Sequence, residues 1–365
     1  MSQYMLSGTR VLDFTRVLAG PLCTMMLGDL GADVLKVERP GTGDDTRGWG
    51  PPFDPRGESA YFLSINRNKR SLAADLDDSG DRDLLLRLVA EADVVVDNFR
   101  PGTLERRGVD PDELCGRHPA LVWCTITGFG PDGDRPGYDF VVQAERGWMA
   151  ITGEPDGAPM KHGVALADVV AGKDAAIAVL GALAARGRDG RGRRLSVSLA
   201  ASAAAALINV AQNTLVAGTQ AQRWGNAHAN LVPYQLFDAR DRPLVIAVGT
   251  DAQWLACARA LALDDLAADE ALRANRGRLA HRARVVARLA ARLGQGDAAE
   301  WIRALDAAGV PCGVVRTVAE VVREVECSPL TGMAPSVPGA VRLPPPRLDE
   351  HGGAIRRLGW AAFDA

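Results

Sequence analysis

A strand, a short helix and a second strand follow one another within the first 38 residues, and this order restricts the fold more than any other feature of the chain. RVLDF (10–14) is a short apolar run that reads as a strand. Pro21–Leu30 carries helical spacing, with Pro21 at a position the first turn tolerates. Gly31 suits the residue after a helix end, and ADVLKVE (32–38) reads as a second strand. Two strands joined by a helix are parallel, and a parallel sheet needs helices on both faces. The pattern returns in a helix at DLLLRLVAEA (83–92) and in strands at ADVVVDNF (92–99) and ALVWCTITGF (120–129). The expected architecture is a doubly wound α/β domain over about the first 190 residues.

The remainder reads differently. An Ala, Val and Leu-rich helix spans 168–185, and RGRDGRGRR (186–194) is a solvated linker. LSVSL (195–199) alternates like a strand, and one more alanine-rich helix runs to Ala217. From Arg223 a second unit begins. YQLFDARDRPLVIAVG (234–249) is a hairpin turning at Arg240-Asp241, helices follow at 251–262, 278–294 and 298–308, and GVPCGVV (309–315) is a short strand. A proline-bearing loop through Pro344-Pro345-Pro346 leads to a short segment around Ile355–Leu358. No internal repeat is present.

Composition narrows the function classes. With 365 residues, 47% hydrophobic and 24% charged, the chain can bury a core without disulfides or metals. A net charge of −3 gives no nucleic-acid or membrane-surface footprint, so neither partner is expected. The six cysteines form no C-x-x-C pair, which fits a reducing cytoplasm, and the five histidines show no metal-ligand spacing, so no metal is expected. The N-terminus lacks the pattern of a signal peptide, and the alanine-rich run at 199–210 is too short for a bilayer and reads as a buried helix.

Glu38 ends the second strand where an acid would hold a ribose, but the loop RVLAGP is not G-x-G-x-x-G, and Pro21 removes an amide that a pyrophosphate needs. P-loop and G-x-S-x-G signatures are absent. Asp168 precedes a strongly helical run, with Gly172 close behind. It reads as a helix N-cap or as a nucleophilic carboxylate kept ionised by the helix end, and the two roles are compatible. Basic residues recur with turn residues at Arg39-Pro40-Gly41, Asn68-Lys69-Arg70, Asn98-Phe99-Arg100-Pro101-Gly102 and Arg106-Arg107. Either they are scattered surface charges, or they bind phosphates beyond the carboxyl ends of the strands.

Several ordered blocks resemble the family III CoA-transferases, also called the CaiB/BaiF family. They are VLDFTRVLAGPLCTMMLGDLGADVLKVERPGTGDDTR, NRNKRSLAADL, ADVVVDNFRPGTLERRGV, LVWCTITGFGPDG and ADVVAGKDAAIAVLGAL, followed by GRGRRLSVSL, RWGNAHANLVPYQLF and WIRALDAAGVPCGVV. The resemblance implies an α/β fold with a Rossmann-like large domain, a smaller α+β domain and an interlocked homodimer. It implies a large CoA-binding domain over 1–195, a linker strand and helix at 196–222, the small domain at 223–325 and a return to the large domain at 326–365. Asp168 falls on the catalytic aspartate, and contacts to coenzyme A fall on Leu18, Ala19, Arg39, Ala74, Asn98, Phe99, Arg100, Arg106 and Arg135.

The implied reaction moves CoA from an acyl-CoA, with succinyl-CoA as a candidate donor, to a small free carboxylic acid. Coenzyme A is then a substrate, and no tightly bound cofactor is expected. A short dicarboxylate such as succinate, glutarate, malate or itaconate is the expected acid. Two departures bear on this. Leu18 stands where formyl-CoA:oxalate members carry glutamine, and RWGNAHANLVPY replaces their glycine-run loop, which argues against oxalate and formate. Tyr138 stands where the α-methylacyl-CoA racemase branch carries its histidine, and a tyrosine is a poor base at neutral pH, which argues for transfer over racemisation. The alternatives are a 2-methylacyl-CoA racemase and a non-catalytic CoA-binding relative. His228 reads as a surface histidine or as a residue reaching the site across the subunit interface.

Overall fold

The computed structural model describes residues 4–131, 133 and 135–364. The first elements are β1 (Arg10–Asp13), α1 (Ala19–Asp29), β2 (Asp33–Glu38), α2 (Ala60–Ser64), β3 (Lys69–Ala73), α3 (Ser79–Ala90) and β4 (Val94–Asp97). They are followed by α4 (Pro111–Arg117), β5 (Val122–Thr127), α5 (Asp139–Glu145), α6 (Trp148–Ile151), α7 (Leu166–Asp189) and β6 (Arg194–Ser198). These six strands make one sheet in the order β3-β2-β1-β4-β5-β6, and every neighbouring pair is parallel. The α/β fold expected from the opening residues is present, in the doubly wound strand order whose switch point lies between β1 and β4.

The central strands read clearly because they are apolar throughout. Val94, Val95 and Val96 are all fully buried, with side chains on both faces of the sheet. One face is covered by α1 and α7 around Cys23, Leu27, Ala171, Ala175 and Val179. The other is covered by α3 and by the C-terminal residues Ile355, Trp360 and Ala362.

β3 was not anticipated, because KRSLA opens with two cations. Asn68-Lys69-Arg70 is therefore not a ligand-facing turn. Lys69 is wholly buried and its Nζ donates to Asp13 Oδ2 at 2.9 Å, while the Arg70 guanidinium donates to the Ala362 carbonyl. A buried ion pair replaces the apolar run that sequence reading looks for.

After β6 come α8 (Leu199–Ala205) and α9 (Ile208–Ala217), two helices bent by 66° where one was expected. α8 buries Leu199, Ala200, Ser202 and Ala203, whereas α9 buries no residue and exposes Ile208, Leu215 and Val216. Among the described residues, no single helix is long and apolar enough to cross a membrane.

The chain forms two compact units: Met1–Met149 with Lys161–Thr219 and Val325–Ala365, and Ala150–Met160 with Gln220–Glu324. The second unit carries β7 (Tyr234–Asp238), β8 (Pro243–Ala247), α10 (Asp251–Ala260), α11 (Asp264–Ala267), α12 (Asn275–Ala280), α13 (Arg282–Leu293), α14 (Ala298–Ala307), β9 (Cys312–Val314) and α15 (Val318–Val321). β7, β8 and β9 form an antiparallel sheet in that order. The chain then returns to the first unit through β10 (Cys327–Ser328), β11 (Gly332–Met333) and α16 (Gly352–Leu358).

Candidate active site at the switch point

In an open parallel sheet, ligands bind beyond the carboxyl ends of the strands at the topological switch point. Here the loop after β1 and the loop after β4 border a cleft of about 230 Å³. Six of the residues expected to contact coenzyme A line it: Leu18, Ala19, Asn98, Phe99, Arg100 and Arg135. Asp168 lines the same cleft. Arg39 and Ala74 line a neighbouring pocket of about 60 Å³, which shares Phe99 and Arg16 with the cleft. Arg106 lines neither. It sits in the short turn Glu105–Arg107, where its guanidinium lies 3.4 Å from Thr103 Oγ1.

Glycines bring the walls together at two points. A Cβ on Gly172 would stand 2.5 Å from the Ala19 carbonyl oxygen, so α7 approaches α1 one turn beyond Asp168 only because this residue has no side chain. A Cβ on Gly137 would stand 2.1 Å from Gly128 Cα, which lets the segment ahead of Tyr138 cross the end of β5.

Asp168 lies in the first turn of α7, but it is not the cap. The N-cap position is Ala165, which has no side-chain cap. The amides are instead taken by Asp139, whose Oδ1 accepts from Ala167 N at 2.8 Å and from Asp168 N at 3.4 Å. Asp139 Oδ2 in turn accepts from Gln143 Nε2 at 2.6 Å. The Asp168 carboxylate therefore has no hydrogen-bond or ion-pair partner among the described residues, and the N-cap role expected from the sequence belongs to Asp139. Burial, and then the negative charge of Asp139, push the Asp168 carboxyl up to about 7. An unpaired carboxyl in a cleft, raised by burial and a like charge, marks Asp168 as a candidate reacting group.

Three neighbours were not singled out from the sequence. Arg16 lines both the cleft and the narrow pocket, with its guanidinium 5.7 Å from the centre of the Phe99 ring. Asp45 bridges Arg16, at 3.1 Å, and Arg39, at 2.6 Å. Tyr61, on α2, packs edge-on against Trp49. Its hydroxyl is raised to about 12 by burial and then by the charges of Asp168, Asp139 and Asp44. Spacing gives no clue to these partners, since Asp168 and Tyr61 are brought together only by the sheet. Of the arginines expected to contact coenzyme A, Arg135 holds Glu145, Arg39 holds Asp45, and the Arg100 side chain has no partner among the described residues. Tyr138 lines the cleft and is exposed, while His228 lies in the second unit, where its Nδ1 accepts from Asn230 N at 3.0 Å. Among the described residues, no group of three His, Cys, Asp or Glu side chains is placed to hold a metal ion.

Comparison with known proteins decides the family. Residues 6–351 match CoA-transferase family III. The chain is a family III CoA-transferase. It is 41% identical over 369 residues to the succinyl-CoA:glutarate CoA-transferase of Mus musculus, covering 95% of this chain and 84% of the mouse protein. It is 41% identical over 323 residues to the succinate–glutarate CoA-transferase of Agrobacterium fabrum, covering 86% of this chain and 81% of that protein. The crystal structure of a CaiB/BaiF family protein from Brucella suis superimposes with a TM-score of 0.87 at 40% identity, covering 98% of this chain and 99% of that one. The enzyme thus shares sequence with proteins named as CoA-transferases and fold with a CaiB/BaiF family protein.

Proposed function

We propose that this enzyme moves CoA from succinyl-CoA to a short dicarboxylic acid, with glutarate as the first candidate, and that Asp168 carries the acyl and CoA groups in turn. The observation behind this reading is the unpaired, half-ionised Asp168 carboxyl in the cleft at the switch point. The substrate choice is supported by the mouse and Agrobacterium relatives, whose names specify succinyl-CoA or succinate with glutarate.

The Asp168 carboxylate oxygen attacks the thioester carbon of the donor. The C–S bond breaks, leaving a mixed anhydride and CoA thiolate. The thiolate attacks the aspartyl carbonyl carbon of the anhydride, the bond from that carbon to the bridging oxygen breaks, and the donor leaves as a carboxylate carrying that oxygen. The acceptor carboxylate then attacks the aspartyl-CoA thioester and expels the thiolate, giving a second anhydride. Attack of the thiolate on the acceptor acyl carbon forms the new thioester and frees Asp168. Each step exchanges one activated acyl bond for another, so no net proton or phosphate is consumed. The amides of Leu18 and Ala19, which line the cleft with Asp168, are suited to the developing oxyanion. The nucleotide end of CoA is assigned to Arg39, Ala74 and Phe99, and its phosphates to Arg100 and Arg16.

The active form is read as a homodimer of interlocked subunits in the cytoplasm. The uncovered Ile208, Leu215 and Val216 of α9 favour a second copy as their cover. A panel of acids assayed with succinyl-CoA tests the substrate assignment. Glutaryl-CoA formed with release of succinate is the expected result, and failure of every dicarboxylate to accept CoA would overturn it. Trapping with hydroxylamine during turnover is expected to mark Asp168.

A further inference from the structure

The turn after β1 is held in a way that its sequence does not explain. Val17 sits at φ +69°, a left-handed conformation that a β-branched residue rarely adopts. Main-chain polar atoms of Thr15, Arg16 and Val17 itself are bonded to side chains from four other places in the chain. Thr15 N donates to Asp13 Oδ1 at 2.8 Å, and the Thr15 carbonyl accepts from Lys36 Nζ at 2.8 Å. Arg16 N donates to Asn98 Oδ1 at 2.9 Å, and Asn98 Nδ2 donates back to the Arg16 carbonyl at 2.7 Å. Val17 N donates to Asp44 Oδ1 at 3.3 Å. Lys36 and Asp44 are themselves paired at 2.9 Å, with both side chains wholly buried.

Beyond this clamped stretch come Leu18 and Ala19, whose amides donate to nothing among the described residues. The loop is fixed on one side of an unusual torsion and ends in free donors on the other. Asn98 is the link that crosses the switch point, since it follows β4 while Arg16 follows β1. Both ends of its carboxamide are used, like one rung of a ladder between the two loops.

We infer that Asn98 is a positioning residue, whose two bonds to the Arg16 main chain hold the Val17 turn so that the Leu18 and Ala19 amides stay beside Asp168. This differs from a direct contact to coenzyme A, which the family resemblance assigned to the same residue. The inference rests on Asp168 being the acylated group, and that reading is tested separately by trapping on Asp168 in the wild type.

The test is the kinetics of Asn98→Ala in the full-length enzyme, with succinyl-CoA and glutarate or whichever acid the panel identifies. The expected result is a kcat at least about tenfold lower with the KM for succinyl-CoA within about threefold of wild type. A second variant probes the strain. Glycine adopts the torsion of Val17 freely, so Val17→Gly added to Asn98→Ala is expected to recover at least about threefold in kcat. If Asn98→Ala does not fold, Asn98→Asp keeps the acceptor for Arg16 N, forfeits the donor to the Arg16 carbonyl, and is read in the same way. A raised KM with unchanged kcat would assign Asn98 to direct CoA binding and overturn the inference. Unchanged kinetics, or a double variant no faster than Asn98→Ala, would also overturn it.

Discussion

Asp139 faces Asp168 across the first turn of α7 and takes the helix amides that Asp168 leaves unused, with Oδ1 2.8 Å from Ala167 N and 3.4 Å from Asp168 N. One aspartate takes the helix amides, and the other has a side chain without a partner among the described residues. The negative charge of Asp139 also makes Asp168 hold its proton more tightly, and it adds to burial in raising Asp168 to about 7.

The first prediction concerns pH. On the proposed mechanism the ionised form of Asp168 reacts, so kcat/KM should rise about tenfold per pH unit below 7 and level off above it. Asp139→Asn keeps an acceptor for the Ala167 amide and removes the like charge. Its profile is expected to shift to lower pH and to exceed wild type, relative to each plateau, at pH 6. Measured pH–rate profiles of the two proteins decide this, and an unmoved profile would refute the role given to Asp139.

Removing the proposed nucleophile separates activity from stability. Asp168→Asn should lower kcat by at least about three orders of magnitude. The folded pKa of Asp168 is raised above its unfolded value near 3.8, so its contribution to stability is intact below that value and is lost as pH rises through about 7. The variant should therefore gain in Tm over wild type at pH 8 and show little gain at pH 4. Thermal melts at the two pH values check the sign.

The buried ion pairs under the β1 loop predict the opposite trend. Burial alone would raise Asp44, but the Lys36 charge and bonds from Thr46 hold it down at about 2. Asp13 and Glu38 are likewise lowered, by Lys69 and by Arg47, against the effect of burial. Groups with depressed folded pKa values stabilise fully above their unfolded values near 4 and lose this as pH falls towards 2. Tm should drop between pH 5 and pH 3, and Lys36→Met should cost about 3–5 kcal/mol at pH 7, the usual penalty for breaking a buried pair. A Tm flat over that pH range would contradict the arrangement.

Packing of α1 on α7 gives a prediction far from any charge. Gly172→Ala forces a Cβ to 2.5 Å from the Ala19 carbonyl oxygen, so one helix must move. The expected cost is about 1–3 kcal/mol of stability, with a loss of kcat because Ala19 borders the cleft. A fully active, equally stable Gly172→Ala would show that the approach is looser than described.

At the nucleotide end, Phe99→Ala should raise the KM for acyl-CoA about tenfold, the loss expected from one stacked base, and leave kcat within about threefold. This pattern is the converse of that expected for the adjacent Asn98, so the two substitutions together separate holding the substrate from holding the loop.

The sheet was legible where strands are continuous apolar runs, as at Val94–Val96, and where a helix and its end residues punctuate them, as at Gly31. β3 was not, because Lys69 enters the core only with Asp13 as its partner, and the partner lies 56 residues away. Helix 278–294 was expected as one piece but is split at His281 into α12 and α13. Asp168, Leu18, Ala19, Phe99 and Arg100, which the family resemblance named, line one cleft. Arg16, Tyr61 and Asp139 carry no local signature, because their roles come from loops that only the folded sheet brings together. The distinction between Asp168 as cap and Asp168 as reactive group was equally hidden, since it depends on an acceptor on a different helix.

The second unit interrupts the first in the chain, and this has a consequence for synthesis. Trp360 sits against the sheet's outer helix with its Nε1 3.0 Å from the Leu88 carbonyl, Arg47 reaches Pro346 O at 3.2 Å, and Asn68 N reaches Leu343 O at 2.9 Å. The strands of this sheet precede the bulk of the inserted unit in the chain, and part of the sheet's outer layer follows it. That layer is therefore synthesised only after the inserted unit, whose residues are contiguous apart from a short upstream segment and which is free to form ahead of the completed sheet face.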